Sequence, residues 1–399
     1  MGVDGIIAHT KTVAGHNLEP TPWHRFHAAP LEHLIEEDED TGLDSFSRVS
    51  ISRRWWRWWW SWYPRAATSR ILHCSHFLTC LLPPPNSPIA TNSKHPNQNS
   101  CPAFFQWIHQ DLSPWATSRI SAANLMEAQQ HAAFRVVISG GRLFVEFYYA
   151  CVQTRSMFTI WGLLQLLRRY PGLIPDVDLM FDCMDKPLIG RSDFKPGGRW
   201  PPPPLFRYCT TKDHFDIPFT DWSFWGPWDE EFRSIKVGSQ ELNWEKKTGT
   251  AYWKGNPDVA SPVRVDLLKC NDTNAWGAQI FRQAEAIGKG GQDFMETLNM
   301  DRVYDYMYHL IVEYSKLLDF KPAPPSSAQE ICEDYILCFA DRKQRQLLKR
   351  SLTSSSLGPC TLPKPDDHFI ETWIQEKQKI TDDIQRLATT WNKNETVKS

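Results

Sequence analysis

Several features that would narrow the function are missing from this 399-residue sequence. It has no apolar run long enough to cross a bilayer as a helix. Its N-terminus, MGVDGIIAHTKTVAGHN, lacks the basic start and apolar stretch of a signal peptide. The formal net charge is -2, and no basic stripe stands out after residue 100. We therefore expect no membrane span in this chain, no visible signal or anchor, and no nucleic-acid partner.

The pattern of cysteines also excludes one class of site. Ten cysteines are present without a single CxxC pair, which disfavours structural zinc. The segment HCSHFLTC (His73–Cys80) looks like half of a metal site, but no second cluster accompanies it, so we interpret it as coincidence. An even number permits disulfides in an oxidising compartment. The glycosylation sequons at Asn271 and Asn394 are compatible with a secretory route.

The composition is otherwise that of a globular protein, with 41% hydrophobic and 23% charged residues. The length allows two domains. Tryptophan is unusually abundant, with 19 copies. Flat indole rings cover sugar faces, but they also fill cores, and composition does not separate these alternatives.

The first 100 residues lack sustained helix or strand periodicity. The run RRWWRWWWSWYPR (Arg53–Arg65) alternates cations and indoles as membrane-active peptides do. No amphipathic helix of useful length surrounds it, so we favour a low-complexity segment. The polar, proline-rich stretch Pro83–Ser100 then predicts a linker. We predict a disordered, low-complexity region over 1–100.

From Cys101 onward the patterns alternate between helix and strand. Ser121 is a candidate N-cap of a helix. Two β-rich runs around Gly140-Gly141 predict a hairpin over Phe134–Phe147. A helix is expected over Arg155–Gly172, followed by a short buried strand at Val177–Phe181. Two helical faces are also predicted, one formed by Phe105, Ile108 and Leu112 and one by Val303, Met307, Ile311 and Tyr314.

The segment PDVDLMFDCMDKP places acids on both sides of that strand. Asp176 and Asp178 match a DxD motif, which in many glycosyltransferases holds a metal ion and a nucleotide diphosphate, but solvated strand ends often show the same pair. Asp185 follows the strand, where a loop could present it as a general base, although Asp before Lys-Pro also forms turns. Ligands of α/β sheets bind just past the carboxyl ends of strands.

The segment AYWKGNPDVASPVR suits a diphosphate, because a strand, a Gly turn and a helix start would expose backbone N–H groups. Lys254 and Arg264 would add positive charge. Trp222, Trp225 and Trp253 either line a sugar or nucleotide site or pack in the core. The spacing matches no Walker loop and no GxGxxG motif.

Four segments together resemble a known family: RYPGLIPDVDLMFDCMDKP, PPPLFRYCTTKDHFDIPFTDWSFWG, AYWKGNPDVASPVRVDLLKCN and GQDFMETLNMDRVYDYMYHLIVEYSKLLDF. They are similar to plant members of the Rumi-type protein O-glucosyltransferases, the capsule-associated-protein-like enzymes of glycosyltransferase family 90. The resemblance runs from about Cys101 to Phe320 with the segments in the family's order.

The resemblance implies an α/β, GT-B-like fold with two Rossmann-like domains and a UDP-sugar donor carrying a glucose- or xylose-type sugar. It implies inversion without a metal or other cofactor, with Asp185 as the base that deprotonates the acceptor hydroxyl. It gives Asp176 and Asp178 structural roles. The implied partners are the UDP-sugar and a protein or glycan acceptor, in the lumen of the endoplasmic reticulum or Golgi.

The donor-binding run of the family matches Trp253, Lys254, Gly255 and Asn256. A family arginine falls on Pro257, so Arg264 or another group would have to replace that phosphate contact. We also expect Trp222 and Trp225 at the substrate. Disulfide pairing of Cys101 with Cys332 or Cys338 is a further expectation, since it would tie the N-terminal helix to the C-terminal one.

One departure from the family concerns the junction Gln283–Ala284, where relatives carry a long stretch with central strands of the second domain. We therefore expect four regions: 1–100 as above, a first Rossmann-like acceptor-side domain over 101–240, an incomplete donor-binding domain with C-terminal helices over 241–320, and a polar tail with a short helix over 321–399. Weak or absent transferase activity is expected. The alternative is a non-catalytic binding or regulatory remnant of such an enzyme.

Overall fold

The computed structural model describes residues 80, 99–151, 154–184, 186–221, 228–241, 246, 299–352 and 357–396. These residues fall in two compact units. The first contains the described residues up to 231 together with 299–381. The second contains residues 232–241, 246 and 382–396.

A six-stranded mixed sheet with the strand order β5-β4-β3-β1-β2-β6 forms the centre of the first unit. Strands β3, β4 and β5 run parallel, whereas the pairs β1–β3, β1–β2 and β2–β6 are antiparallel. The strands are β1 (Phe134–Ser139), β2 (Arg142–Phe147), β3 (Val177–Phe181), β4 (Leu205–Arg207), β5 (Ile217–Pro218) and β6 (Gln329–Ile331).

Eight α-helices are present in the described part of the chain, with 3-10 turns at Ala103–Gln106 and Ser113–Trp115. The α-helices are α1 (Trp107–Leu112), α2 (Ala122–Gln129), α3 (Arg155–Arg169), α4 (Trp228–Glu241), α5 (Met300–Ser315), α6 (Glu333–Phe339), α7 (Arg342–Arg350) and α8 (Asp367–Thr396). None of the helices in these ranges is both long and apolar enough to cross a bilayer.

The predicted hairpin is confirmed as β1 and β2, which pair from Phe134 opposite Phe147 to Ser139 opposite Arg142. Gly140 and Gly141 both have positive φ, at 58° and 73°. A two-residue turn with two positive φ angles matches the right-handed twist of the flanking strands, and glycine adopts it without strain.

Both faces of the sheet are covered, which explains why every residue of β3 is buried. On one face, Leu125 and Ala128 of α2 pack with Met180 of β3 and Leu205 of β4. On the other face, the Tyr314 ring of α5 meets the Phe206 ring edge-on, with the centroids 5.0 Å apart. Alternate residues of a strand point to opposite faces, so β3 needs apolar side chains on both.

The expected helices and helical faces are also confirmed. Ser121 caps α2, since its Oγ accepts from the Asn124 N–H while the Asn124 side chain accepts from the Ser121 N–H. Helix α3 fills the predicted position, ending three residues earlier at Arg169. The residues of the two predicted faces are all buried: Phe105, Ile108, Leu112, Val303, Met307, Ile311 and Tyr314.

Tryptophan fills the core at two described positions. Trp115 and Trp161 are fully buried. The Trp115 Nε1–H donates to the Pro202 carbonyl oxygen, and the Trp161 Nε1–H donates to Ser351 Oγ, both at 2.8 Å. Core packing is therefore the role of these two indoles.

The C-terminal region 321–399 has more structure than the polar tail with a short helix that we expected. It contributes β6, which pairs with β2 at the edge of the sheet, and the three helices α6, α7 and α8. Helix α8 alone spans 30 residues. The high polarity of this region reflects solvent-exposed helix faces, which composition does not distinguish from an irregular tail.

The expected disulfide of Cys101 with Cys332 or Cys338 is wrong. Cys101 pairs with Cys360, and Cys332 pairs with Cys80. A third disulfide joins Cys151 to Cys183, which are 32 positions apart in sequence. Pairing depends on which chain segments meet in space, and residues 99–101 lie beside Thr361 through a parallel bridge and backbone hydrogen bonds.

We predict that removing the Cys101–Cys360 disulfide by the double substitution Cys101→Ser and Cys360→Ser lowers the free energy of unfolding by about 2–5 kcal/mol. The bridge joins residues 259 positions apart and so constrains the unfolded chain strongly. Urea unfolding measures the change. Non-reducing peptide mapping of the unmodified chain is the companion test, and a Cys101–Cys332 peptide would contradict the pairing.

Candidate functional site

A polar region lies at the carboxyl ends of the parallel strands β3 and β4. We call it the carboxyl edge, as distinct from the outer strands β5 and β6. Asp182 directly follows β3, Arg207 ends β4, and Tyr208 comes next in the chain. Tyr149 reaches the same edge, because β2 runs antiparallel to β1, and β1 runs antiparallel to β3. Edges of this kind are where open α/β sheets hold ligands, so we take it as the candidate site.

A buried charge cluster of Asp182, Arg207 and Asp216 lies at this edge. Each of the three residues is at most 3% exposed. Arg207 Nη2 forms an ion pair with Asp182 Oδ2, and Arg207 Nε lies 3.9 Å from Asp216 Oδ1. The Tyr149 hydroxyl donates to Asp182 Oδ1. The cluster thus contains two carboxylates and one guanidinium.

The chain between Asp182 and Gly190 is fixed on both sides of residue 185. On the N-terminal side, the Cys183 N–H donates to Asp182 Oδ1 at 2.7 Å, and Arg155 Nη1 donates to the Cys183 carbonyl oxygen at 2.7 Å. On the C-terminal side, the Leu188 and Ile189 N–H groups donate to the Asp216 carboxylate at 2.9–3.0 Å.

Burial raises the pKa of Asp216, and the N–H groups of Ile189 and Leu188 act against that rise by stabilising the carboxylate. Burial also raises the pKa of Tyr149. Tyr149 is therefore a neutral hydroxyl donor at neutral pH, in agreement with its hydrogen bond to Asp182.

The residues that the sequence singles out for catalysis and binding lie outside the described residues. This holds for the expected base Asp185 and for the expected substrate-binding residues Trp222 and Trp225. It also holds for the expected donor-binding residues Trp253, Lys254, Gly255, Asn256 and Arg264, and for the junction Gln283–Ala284. Their roles stay predictions.

Asp176 and Asp178 have structural partners at the other end of β3. Asp176 Oδ1 accepts from the Gly140 N–H at 2.8 Å and so holds the hairpin turn. Asp178 is fully buried and accepts from Arg135 Nε and Nη2 at 2.8 and 2.5 Å. Burial raises the Asp178 pKa, while Arg135 acts against that rise. These contacts agree with the structural role that the family resemblance implies for both acids.

Three threonine hydroxyl oxygens near the carboxyl edge are buried without a hydrogen-bond partner: Thr154, Thr210 and Thr220. Thr154 precedes α3, whereas Thr210 and Thr220 follow β4 and β5. Leaving a buried hydroxyl unpaired costs about 1–3 kcal/mol. Such groups are suited to bind a ligand that brings its own hydroxyls.

We predict that Thr220→Val maintains or raises the stability of the unliganded chain but lowers its affinity for a ligand. The variant removes an unpaired buried oxygen and keeps the shape of the side chain, so the unliganded chain should become as stable or more stable. If a hydroxyl-bearing ligand pairs with this oxygen, the affinity for that ligand should fall about fivefold or more, by loss of about 1 kcal/mol.

The measurements are thermal unfolding and titration with UDP-glucose, and Thr220→Ser serves as the matched control that keeps the hydroxyl. An unchanged affinity in Thr220→Val would show that this oxygen does not meet that ligand. Thr210→Val tests the second oxygen in the same way.

A possible metal-binding group in the first unit is formed by Cys101, His309 and Cys360. The two sulfur atoms are joined as a disulfide, so they are not thiolate ligands. His309 Nε2 lies 2.8 Å from the Cys360 carbonyl oxygen. Its contacts are those of a buried structural histidine. Cys80 of the HCSHFLTC segment is likewise in a disulfide.

Burial lowers the pKa of His309 below its ordinary value of 6.5. As pH falls through 6.5, His309 becomes protonated in the unfolded chain while it stays neutral in the folded chain. The free energy of unfolding should therefore fall with pH in that range. We predict that His309→Gln, which keeps a donor for Cys360 but does not titrate, shows a smaller loss of stability below pH 6.5. Urea unfolding from pH 8 to 5 gives the slopes, and equal slopes would contradict the prediction.

Sequence reasoning missed the residues that build the described edge. Asp182 stands in the acid-rich segment, Arg207 ends an apolar run LFR, and Asp216 lies between apolar residues in HFDIPF. A charged residue flanked by buried strand residues is the available signal, because such a charge needs a partner. The sequence does not say which partner.

Comparisons with known proteins place the chain in a family. The model described as "Glycosyl transferase family 90" matches residues 96–285 and 273–388. "O-glucosyltransferase rumi" of Drosophila melanogaster is 21% identical over 270 residues, or 63% of this chain and 62% of that protein. "Protein O-glucosyltransferase 1" of Rattus norvegicus is 24% identical over 195 residues, or 45% and 46%.

A shorter match, to the "O-glucosyltransferase rumi homolog" of Aedes aegypti, is 30% identical over 98 residues, or 21% of this chain and 23% of the relative. The chain thus spans at most 62% of the length of these three relatives. The family model covers well over half of the chain. The charged edge and strands β1–β5 lie inside its first matched segment, β6 lies inside the second, and the chain belongs to glycosyl transferase family 90.

Proposed function

We propose that this chain is an O-glycosyltransferase that moves a sugar, of glucose or xylose type, from a UDP-sugar to a hydroxyl group of a protein. Family membership and the O-glucosyltransferase relatives support this proposal. The observation that carries it is the polar carboxyl edge of β3 and β4, where a loop fixed on both sides carries Asp185.

In the proposed reaction, the Asp185 carboxylate takes the proton of the acceptor hydroxyl. The hydroxyl oxygen then forms a bond to the anomeric carbon as the bond from that carbon to the UDP oxygen breaks. UDP leaves with the bonding electrons, and the configuration at the anomeric carbon inverts. The matched donor-binding residues Trp253, Lys254, Gly255 and Asn256, with Arg264, would hold the UDP in a GT-B-like second domain, and no metal is required.

The disulfides support the proposed compartment. Disulfides persist in an oxidising environment, and the described residues form the bridges Cys80–Cys332, Cys101–Cys360 and Cys151–Cys183. They support a lumenal site of action in the secretory pathway, either the endoplasmic reticulum or the Golgi. Protein acceptors pass through both.

A second candidate is a chain that keeps acceptor binding but lacks efficient turnover. Two observations favour it. The family model matches in two segments that overlap at residues 273–285, the stretch that contains Gln283–Ala284. The chain also spans only part of its relatives. Both support a shortened donor-binding part, which would remove phosphate contacts and leave turnover below the usual range of about 1–1,000 per second.

We predict that the purified chain transfers or hydrolyses sugar from UDP-glucose or UDP-xylose slowly at best, and that Asp185→Asn abolishes whatever turnover is present. The amide keeps the shape of the side chain and cannot take the proton. Release of UDP is the measurement. Asp213→Asn, a change of an exposed acid in a neighbouring loop, serves as the matched control and should keep the rate.

A UDP titration separates the two candidates. Binding of UDP together with turnover that requires Asp185 supports the transferase. Binding of an acceptor protein without UDP binding supports the remnant. Turnover that survives Asp185→Asn would contradict the assignment of the base.

A further inference from the structure

We propose that Arg207 is a positioning residue that fixes both sides of the loop between Asp182 and Gly190, and thereby places the proposed base. The part of this proposal that concerns catalysis rests on the proposed role of Asp185. The anchoring itself rests only on contacts of described residues. Arg207 is the one cation that contacts acids on both sides of this loop in the described part of the chain.

The first side of the loop is held through Asp182. Arg207 pairs with Asp182 Oδ2, which leaves Oδ1 to accept from the Tyr149 hydroxyl and from the Cys183 N–H. The Asp182 N–H also donates to the Phe206 carbonyl oxygen of β4, at 3.0 Å. The chain therefore leaves β3 in one fixed direction, and the Cys151–Cys183 disulfide holds the next residue.

The second side of the loop is held through Asp216. Its carboxylate accepts from two successive backbone N–H groups, those of Leu188 and Ile189. Arg207 Nε lies 3.9 Å from Asp216 and has no hydrogen-bond partner of its own, so the interaction between them is one of charge. That charge favours the ionised carboxylate, the form that accepts both N–H bonds best.

Stability alone does not explain this arrangement. A buried ion pair is often no more stabilising than apolar side chains of the same volume. A second ion pair joins the half-buried Arg135 of β1 to the buried Asp178 of β3, and it ties β3 to the hairpin rather than to the loop. The two pairs thus differ in what they hold, and Arg135 offers a matched control for Arg207.

Loss of Arg207 would leave Asp182 and Asp216 buried without their cation. Each carboxylate would then take up a proton or turn toward water, and its bonds to the loop N–H groups would weaken. A displacement of about 1 Å at a catalytic group can cost on the order of a hundredfold in rate. The loss should therefore appear in kcat rather than in the KM for the donor.

Hydrogen exchange tests the anchoring directly. In Arg207→Met, the amides of Cys183, Leu188 and Ile189 should exchange about tenfold faster than in the unmodified chain. In Asp216→Asn, the amides of Leu188 and Ile189 should show the same increase. In Arg135→Met, these amides should keep their rates even though the whole chain is less stable. If Arg207→Met does not fold, the same exchange rates are measured in Asp216→Asn and Arg207→Lys. Unchanged exchange at these amides in a folded Arg207 or Asp216 variant would overturn the proposal.

Kinetics with UDP-glucose test the consequence. Arg207→Met should lower kcat about tenfold or more and leave KM within about twofold, whereas Arg135→Met should leave kcat near that of the unmodified chain. Added guanidinium ion should restore part of the rate in Arg207→Ala, a result that a general loss of folding would not give. Equal loss of kcat in the Arg135 and Arg207 variants would contradict a positioning role.

The kinetic and exchange results distinguish the proposed role of Asp185 from the proposed role of Arg207. If Asp185→Asn retains turnover while exchange at Leu188 and Ile189 depends on Arg207, the proposed base is wrong and the anchoring stands. If Asp185→Asn loses turnover and exchange does not depend on Arg207, the base stands and the anchoring is wrong. In a chain without measurable turnover, the exchange experiment alone decides the anchoring.

Discussion

The contact between Arg207 and Asp182 is the interaction on which the candidate site depends. It joins the ends of β3 and β4 and sets the direction in which the chain leaves the sheet. It is possible only because both strands are buried on both faces, which excludes water from the charges. The apolar packing of α2 on one face and α5 on the other is thus what makes a single arginine able to order a loop.

The acids at the two ends of β3 have different structural roles. At the amino end, Asp176 holds the hairpin turn and Asp178 pairs with Arg135, so both acids stabilise the sheet. At the carboxyl end, Asp182 holds a loop, and unpaired hydroxyls lie nearby. The ends are about 13 Å apart, at about 3.3 Å per residue over the four residues from Asp178 to Asp182. Acids that are close in sequence therefore have separate roles, one pair in the sheet and Asp182 in the loop.

Local features of the fold could be predicted from the sequence, and distant pairings could not. The hairpin at Gly140-Gly141, the cap at Ser121 and the buried strand Val177–Phe181 each follow from short-range patterns. The partner of Cys101 and the place of β6 depend on segments more than 180 positions away. The Arg207 cluster brings together the ends of three strands, so no spacing reveals it. Asp185 is singled out by its position after β3 and by the family resemblance, and its role stays a prediction.

We propose that sugar transfer takes place at the carboxyl edge of β3 and β4. A crystal structure of the chain with UDP-glucose, grown in the presence of Mn²⁺, tests it most directly. We expect the anomeric carbon to lie beside the loop that follows Asp182, and Asp176 and Asp178 to keep their hydrogen bonds to Gly140 and Arg135. A UDP diphosphate held through Mn²⁺ by Asp176 and Asp178 at the opposite end of β3 would contradict it.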